Sequence, residues 1–363
     1  MTERTRRLTV VVGLVGLLVA AGLAGRLLSQ HDGDPTIFAS LGEDSEITAY
    51  AEELLGREVV TRDGIGHDGR FFFVLASDPW LANPEQAELM DRPAYRAQRM
   101  FYPTIAGGGG LFEGEALVWG LLLVNVVAMG LGTWGVATLA SDMGGSAWWG
   151  LAFVLNVGLV SELNVDAAGV VAAAAAFWAL VMLRRGRVPP GVALLTVSAL
   201  SREAMLIAAV GGAYWLWRRG DGRSAAVTVG VPTASVIAWA LYVRSRLGEV
   251  VGAPQVEEIG WPIVGLVQAF DGWLSDPVDL AAGVAILMLL ALFTRRVLLS
   301  DEIVGWAFLG FVPLALVLTR QVWFSYYDIS RAVAPVLTAF VLLVFADVRT
   351  RIGGQQVVIG GHP

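Results

Sequence analysis

The sequence returns again and again to apolar runs about as long as a bilayer is thick, and this repetition limits the fold more than any single motif. The candidate spans are residues 8–28, 115–140, 147–162, 165–183, 190–217, 225–247, 278–294, 301–319 and 331–347. A spanning helix needs roughly 20 predominantly apolar residues. Charged residues make up 16% of the chain and hydrophobic residues 56%, whereas soluble domains carry about a quarter charged residues. The apolar runs are continuous rather than alternating, which speaks against a membrane β-barrel. The expected fold is therefore an all-α polytopic membrane protein with about nine or ten transmembrane helices.

The basic start, Met1–Arg7, leads into the first run. Leu27-Leu28-Ser29-Gln30 lacks the small residues of a cleavage site, so residues 1–28 are expected to remain as a signal-anchor helix. Residues 29–112 form a polar segment holding 14 of the 32 acidic residues. Residues 113–351 read as a transmembrane helical bundle and 352–363 as a disordered cytoplasmic tail. Arginine in short loops sets orientation. Arg4, Arg6 and Arg7, the Arg184–Arg187 cluster, Arg218, Arg219 and Arg223, Arg295 and Arg296, and Arg349 and Arg351 can all be cytoplasmic on one condition. Residues 190–217, interrupted by Ser201-Arg202-Glu203, must enter and return on the same side, and residues 98–112 must not cross. Arg244 and Arg246 then fall outside, as exceptions or as ligands of something anionic. The implied location is the plasma membrane, with residues 29–112 extracytoplasmic.

Several chemistries are excluded. The chain has no cysteine, hence no disulfide, thiolate metal site or cysteine nucleophile. All 25 basic residues are arginine, which removes Schiff-base lysines and the lysine of a phosphate-binding loop. His31, His67 and His362 are too scattered for a zinc site. No nucleic-acid partner is expected.

Within the polar segment, Ser45–Leu55 reads as a helix ended by Gly56. His67–Ala76 reads as a second, with an aromatic face from Phe71 to Phe73 and a stop at Ser77-Asp78-Pro79. Residues 93–105 read as a third, lying on or entering the membrane, with Tyr95 and Arg99 as i,i+4 neighbours. Asp68 is the leading catalytic candidate, since a general base needs a carboxylate beside the reacting hydroxyl and a hard cation needs oxygen ligands. Its plain alternative is an N-cap for the helix that follows. Arg96 and Arg99 could fork onto a phosphate, or simply snorkel to the headgroups. Asp63, Asp78 and Asp91 read as turn residues.

Further along, Tyr327 and Arg331 share a helical face at the start of the last span, with Asp328 as the local partner for Arg331. Arg202 and Glu203 sit in an apolar run, and intramembrane charges usually face a cavity. They cannot form a complete pair with each other, because adjacent residues on a helix point apart. Glu162 and Asp166, i,i+4 like charges at an outer loop, either flank a polar mouth or, as the simpler reading, lie in a solvated loop.

Gly66-His67-Asp68-Gly69-Arg70-Phe71-Phe72-Phe73 is similar to the Trp-Asp-Gly-x-x-Tyr type of motif in mannosyltransferases of the glycosylphosphatidylinositol pathway. It is more similar to a Tyr-Asp-Gly-Gln-Phe-Tyr motif of related prokaryotic membrane proteins. With Arg92–Pro103, Ser201-Arg202-Glu203 and Tyr327-x-x-x-Arg331 in order, the layout resembles the GT-C superfamily of integral-membrane glycosyltransferases. His67 stands where that motif has an aromatic residue, and Phe72 and Phe73 stand where it has tyrosines. The resemblance implies a GT-C-like bundle and transfer of a sugar from a polyprenyl-phosphate carrier to a glycan, lipid or protein acceptor on the extracytoplasmic face. Asp68 would be the base or a metal-linked carboxylate, with Mg or Mn as the cation. His67, Arg70, Tyr95, Arg96, Arg99, Tyr102, Arg202, Glu203, Tyr327 and Arg331 would bind substrate. Membrane lipids would be further partners. A transporter or lipid flippase is the competing class, although no inverted repeat is evident.

Overall fold

The computed structural model describes residues 2–248 and 259–346. The expected tail 352–363 lies outside the described residues. Within them helices and their connecting turns make up the chain, and the one sheet is two strands of two residues each, Leu41–Gly42 and Thr61–Arg62, paired in parallel.

Four helices are long and apolar enough to cross a membrane: Glu3–Ser29, Glu115–Asp142, Gly222–Leu247 and Pro277–Leu299. The shortest has 23 residues, which at 1.5 Å per residue spans roughly 35 Å, more than the ~30 Å hydrocarbon core. Tyr326–Ala332 and Ala334–Ala346 would form a fifth span bent by 69°. Gly169–Arg184, Val188–Ser201 and Ile303–Val317 are shorter apolar helices. Among the described residues, four or five helices reach full length against the nine or ten expected, and the remaining apolar runs are short or broken. Residues 147–162 divide into pieces ending at Val154 and restarting at Val157, where the Asn156 side chain caps Gly158 N and Leu159 N. Residues 190–217 form two helices, Val188–Ser201 and Leu206–Arg218, separated by an extended Arg202 and one 3-10 turn.

The first helix packs antiparallel on Glu115–Asp142 through small residues. A Cβ on Gly13 would meet Trp134, on Gly16 Thr133, and on Gly130 Leu17. Without a hydrophobic force between helices in lipid, such close backbone approach supplies the packing contact. At one end of the bundle, ion pairs tie helix termini together: Arg184 with Glu302, Arg185 with Asp142, and Arg219 with Asp301. At the other end Arg57 joins Asp34 to Glu115.

The polar segment folds over that second end. Ser45 caps Glu46–Leu55, and Gly56 closes it in a left-handed conformation, as expected. Residues 93–105 depart from expectation. They form two short helices, Pro93–Arg96 and Phe101–Ala106, and neither is long enough to enter a bilayer far. Arg246 lies against this segment and donates to the carbonyls of Leu81 and Ala82, so its guanidinium serves backbone acceptors.

Val157–Leu163 and Tyr326–Ala332 meet so closely that a Cβ on Gly158 would lie 2.1 Å from Ser330 O. Overpacking of this kind costs about 1–3 kcal/mol. Gly158→Ala is therefore expected to lower the melting temperature in detergent; an unchanged value would mean that these helices separate freely.

Candidate active site

The backbone that presents Asp68 is fixed before its side chain makes any contact. Gly66 has φ +77°, a left-handed conformation suited to glycine, and a Cβ there would meet Ser40 O at 2.2 Å. The next amide, His67 N, donates to that same Ser40 O at 2.9 Å. Gly69 begins the helix Gly69–Ser77 against the carbonyls of Val165, Ala39 and Phe38. Phe71, Phe72 and Phe73 anchor this helix in the core. Asp68 occupies the N-cap position but makes no side-chain capping bond. Its carboxylate is committed elsewhere, which sets aside the plain capping role.

Both carboxylate oxygens of Asp68 accept from arginine. Arg96 Nη1 donates to Oδ1 at 3.1 Å, and Arg331 Nη2 donates to Oδ2 at 2.7 Å. Each arginine also has a second, separate anchor. Arg96 donates from Nε and Nη2 to the two oxygens of Asp91, each at 3.0 Å, and its guanidinium lies 4.1 Å from the Phe71 ring centroid. Arg331 Nε donates to Glu162 Oε1 at 3.1 Å, with Asp328 a looser partner at 3.5 Å. Glu162 Oε1 also accepts from Arg202 Nη1 at 3.1 Å, and its Oε2 accepts from Gly169 N at 3.0 Å. Arg99 pairs with Glu203 through two 3.2 Å bonds and donates to the Tyr95 hydroxyl at 2.8 Å. Neighbouring Arg202 and Glu203 thus turn to different partners, with Arg202 extended at the break and Glu203 opening the 3-10 turn.

Asp68, the four arginines, Glu162, Glu203 and Asp328 line a cavity of about 620 Å³ that also includes His67, Tyr95, Gln98, Leu206, Ile207 and Leu318, while Asp91 holds Arg96 from outside it. Of the residues singled out in the sequence, His67, Asp68, Tyr95, Arg96, Arg99, Arg202, Glu203 and Arg331 come together here. Tyr327 sits behind them, its ring 5.5 Å from His67 and its hydroxyl donating to Ser161 O. Arg70 and Tyr102 do not line the cavity. The Arg70 guanidinium lies over Phe71, and the fully buried Tyr102 donates to Leu121 O and accepts from Asn125. Glu162 and Asp166 correct the expectation of a solvated loop, since both are buried. Asp91 likewise does more than turn the chain, because it holds Arg96. What the sequence lacked for Glu162 was its partners, for nothing near it in sequence carries a positive charge and Arg331 and Arg202 reach it from afar.

Burial pushes the Asp68 carboxyl up, but Arg331, Arg96 and Arg99 outweigh it and hold it well below the usual carboxylate range. In this arrangement Asp68 is a stable anion and a weak base. Both Asp68 oxygens face guanidiniums, and among the described residues no group of three carboxylates or imidazoles converges as a metal site would need.

Two predictions follow from this network. Removing Arg331 takes away one of the three donors to the buried Glu162 and one of the two to Asp68, and breaking a buried pair costs about 3–5 kcal/mol. Arg331→Ala should therefore lower the melting temperature far more than Arg219→Ala, whose pair with Asp301 is exposed. Burial and Arg331 also push the His67 imidazole below its usual value of 6.5, against the opposing pull of Asp68 and Asp328. Below pH 6.5 the unfolded chain takes up a proton at His67 that the folded chain does not. Stability should fall from pH 7 to pH 5, and His67→Phe should flatten that slope in melting curves. The lowered Asp68 and Asp91 carboxyls contribute only further down. Their stabilisation is intact above the ordinary 3.8 and fades as pH drops toward their lowered values.

Comparison with protein-family models, curated proteins and solved structures finds no match to this chain.

Proposed function

We propose that this protein is a membrane glycosyltransferase that moves a sugar from a polyprenyl-phosphate carrier to a glycan, lipid or protein acceptor on the extracytoplasmic face. One observation carries the reading. One carboxylate, Asp68, is bonded by the guanidiniums of both Arg96 and Arg331 in a cavity large enough for a sugar phosphate, and apolar side chains complete its lining. Transfer of this kind needs a proton acceptor for the incoming hydroxyl and positive charge for the departing phosphate. Both are present within one hydrogen-bond length of each other.

The orientation is supported by charge. The end of the bundle away from the cavity gathers Arg184, Arg185, Arg218 and Arg219 at helix termini, and arginine-rich loops favour the cytoplasm. The cavity then opens outside, where a lipid-borne donor is at hand. Leu206, Ile207, Leu314, Leu318 and Val322 provide apolar surface for the part of the carrier next to its phosphate.

In the reaction, the acceptor hydroxyl gives its proton to Asp68 as its oxygen bonds to the anomeric carbon. The bond from that carbon to the phosphate oxygen breaks, and the phosphate leaves with the electron pair, its charge met by Arg96 and Arg331. Arg99 and Arg202, held by Glu203 and Glu162, border the same space.

The test is transfer from a panel of radiolabelled polyprenyl-phosphate sugars to crude membrane acceptors by purified protein in detergent. Asp68→Asn should reduce transfer by about 10²–10⁴-fold, the usual contribution of a positioned base, while the melting transition stays cooperative. Equal rates in the two proteins would remove Asp68 from the mechanism, and folded wild type inert with every donor would remove the transferase reading.

A further inference from the structure

The two arginines that touch Asp68 differ from it in how firmly they are held. Arg96 is forked onto Asp91 through Nε and Nη2, leaving Nη1 for Asp68. Arg331 is fixed through Nε to Glu162, leaving Nη2 for Asp68. If the carboxylate withdrew, both guanidiniums would keep an anchor and stay aimed at the same point. Asp68 has no such second hold. Its side chain makes no capping bond, and it is 25% exposed, whereas Glu162 is 3% exposed. The cavity lining also contains equal numbers of arginines (Arg96, Arg99, Arg202, Arg331) and carboxylates (Asp68, Glu162, Glu203, Asp328). It therefore offers a phosphate no surplus positive charge. An anion can gain full ion pairs there only by replacing one already present.

Resting on the reading that the cavity accepts a phosphate, we propose that Asp68 is a resident counter-ion that the donor's phosphate displaces from Arg96 and Arg331. The exchange converts two salt bridges to Asp68 into two to phosphate. It also changes what Asp68 can do. Paired, the carboxylate is a weak base; parted from both guanidiniums and left in a largely buried position, it attracts a proton more strongly. The base is thus switched on by the donor, and the acceptor hydroxyl meets an active carboxylate only when a sugar phosphate is in place.

The exchange predicts that removing the carboxylate improves phosphate binding. Inorganic pyrophosphate serves as the probe, titrated by calorimetry into the full-length protein in detergent micelles. Asp68→Asn should bind it about tenfold more tightly than wild type, equivalent to about 1.4 kcal/mol. Asp328→Asn removes one charge from the same lining but only a loose partner of Arg331, and should change affinity by less than about threefold. Equal or weaker binding by Asp68→Asn overturns the exchange, as does equal tightening by Asp328→Asn, which would indicate a general effect of cavity charge.

A second measurement needs no variant. Dicyclohexylcarbodiimide modifies protonated carboxyls in apolar surroundings, and its reaction at Asp68 can be read by mass spectrometry of the peptide. Pyrophosphate should increase that labelling in wild type; no change, or protection, overturns the proposal. No sugar enters either test. Tighter pyrophosphate binding without transfer from any donor would leave the exchange standing and end the transferase reading. Transfer with unchanged pyrophosphate affinity in Asp68→Asn would end the exchange alone.

Discussion

The guanidinium of Arg331 joins distant parts of the chain in one side chain. It bonds Asp68, 263 residues earlier, and Glu162, 169 residues earlier. Through Asp68 it fixes the polar segment that follows the first helix. Through Glu162 it fixes the broken run before Gly169–Arg184, and through the shared Glu162 oxygen it reaches Arg202 at the mid-chain hairpin. The cavity exists because these elements converge on one side chain. The 69° bend after Ala332 supports this placement by turning the arginine's helix away from the continuing span.

Such a network is expensive to bury. Each ion loses several kcal/mol of hydration, and its pairs recover that loss only when geometry and hydrogen bonding are good. Here the buried members are well served: Glu162 accepts from two arginines and one backbone amide, and Arg99 makes three hydrogen bonds. Well-packed apolar residues would often be as stabilising. Concentrating so many charges around one cavity, in a chain otherwise poor in charge, therefore fits the proposed role in phosphate chemistry better than a means of stability.

Local elements were largely legible in the sequence. The helix Glu46–Leu55 follows from Ser45 and Gly56, which act within one turn of each end. Ser201-Arg202-Glu203 announced a break because two adjacent charges cannot both be satisfied on a lipid-facing helix, and the break falls at Arg202. The expected single helix over 93–105 failed because its apolar spacing continues through residues 97–100 while the backbone does not. The apolar runs around 147–162 and 165–183 likewise gave no sign of how short their helices would be, since hydropathy measures composition and not continuity.

Composition and local spacing alone point to a helical membrane chain and a polar segment after the first helix, and they single out Asp68 and several arginines as candidate site residues. These depend on composition and on spacings within a few residues, where the backbone sets the geometry. Only the tertiary structure decided which arginine meets which carboxylate. It brought buried Glu162 into the site, held Arg96 through Asp91, and left Arg70 and Tyr102 outside the cavity. Those pairings span from five to 263 residues, and an ion pair is fixed by where helices pack rather than by any local preference of its partners.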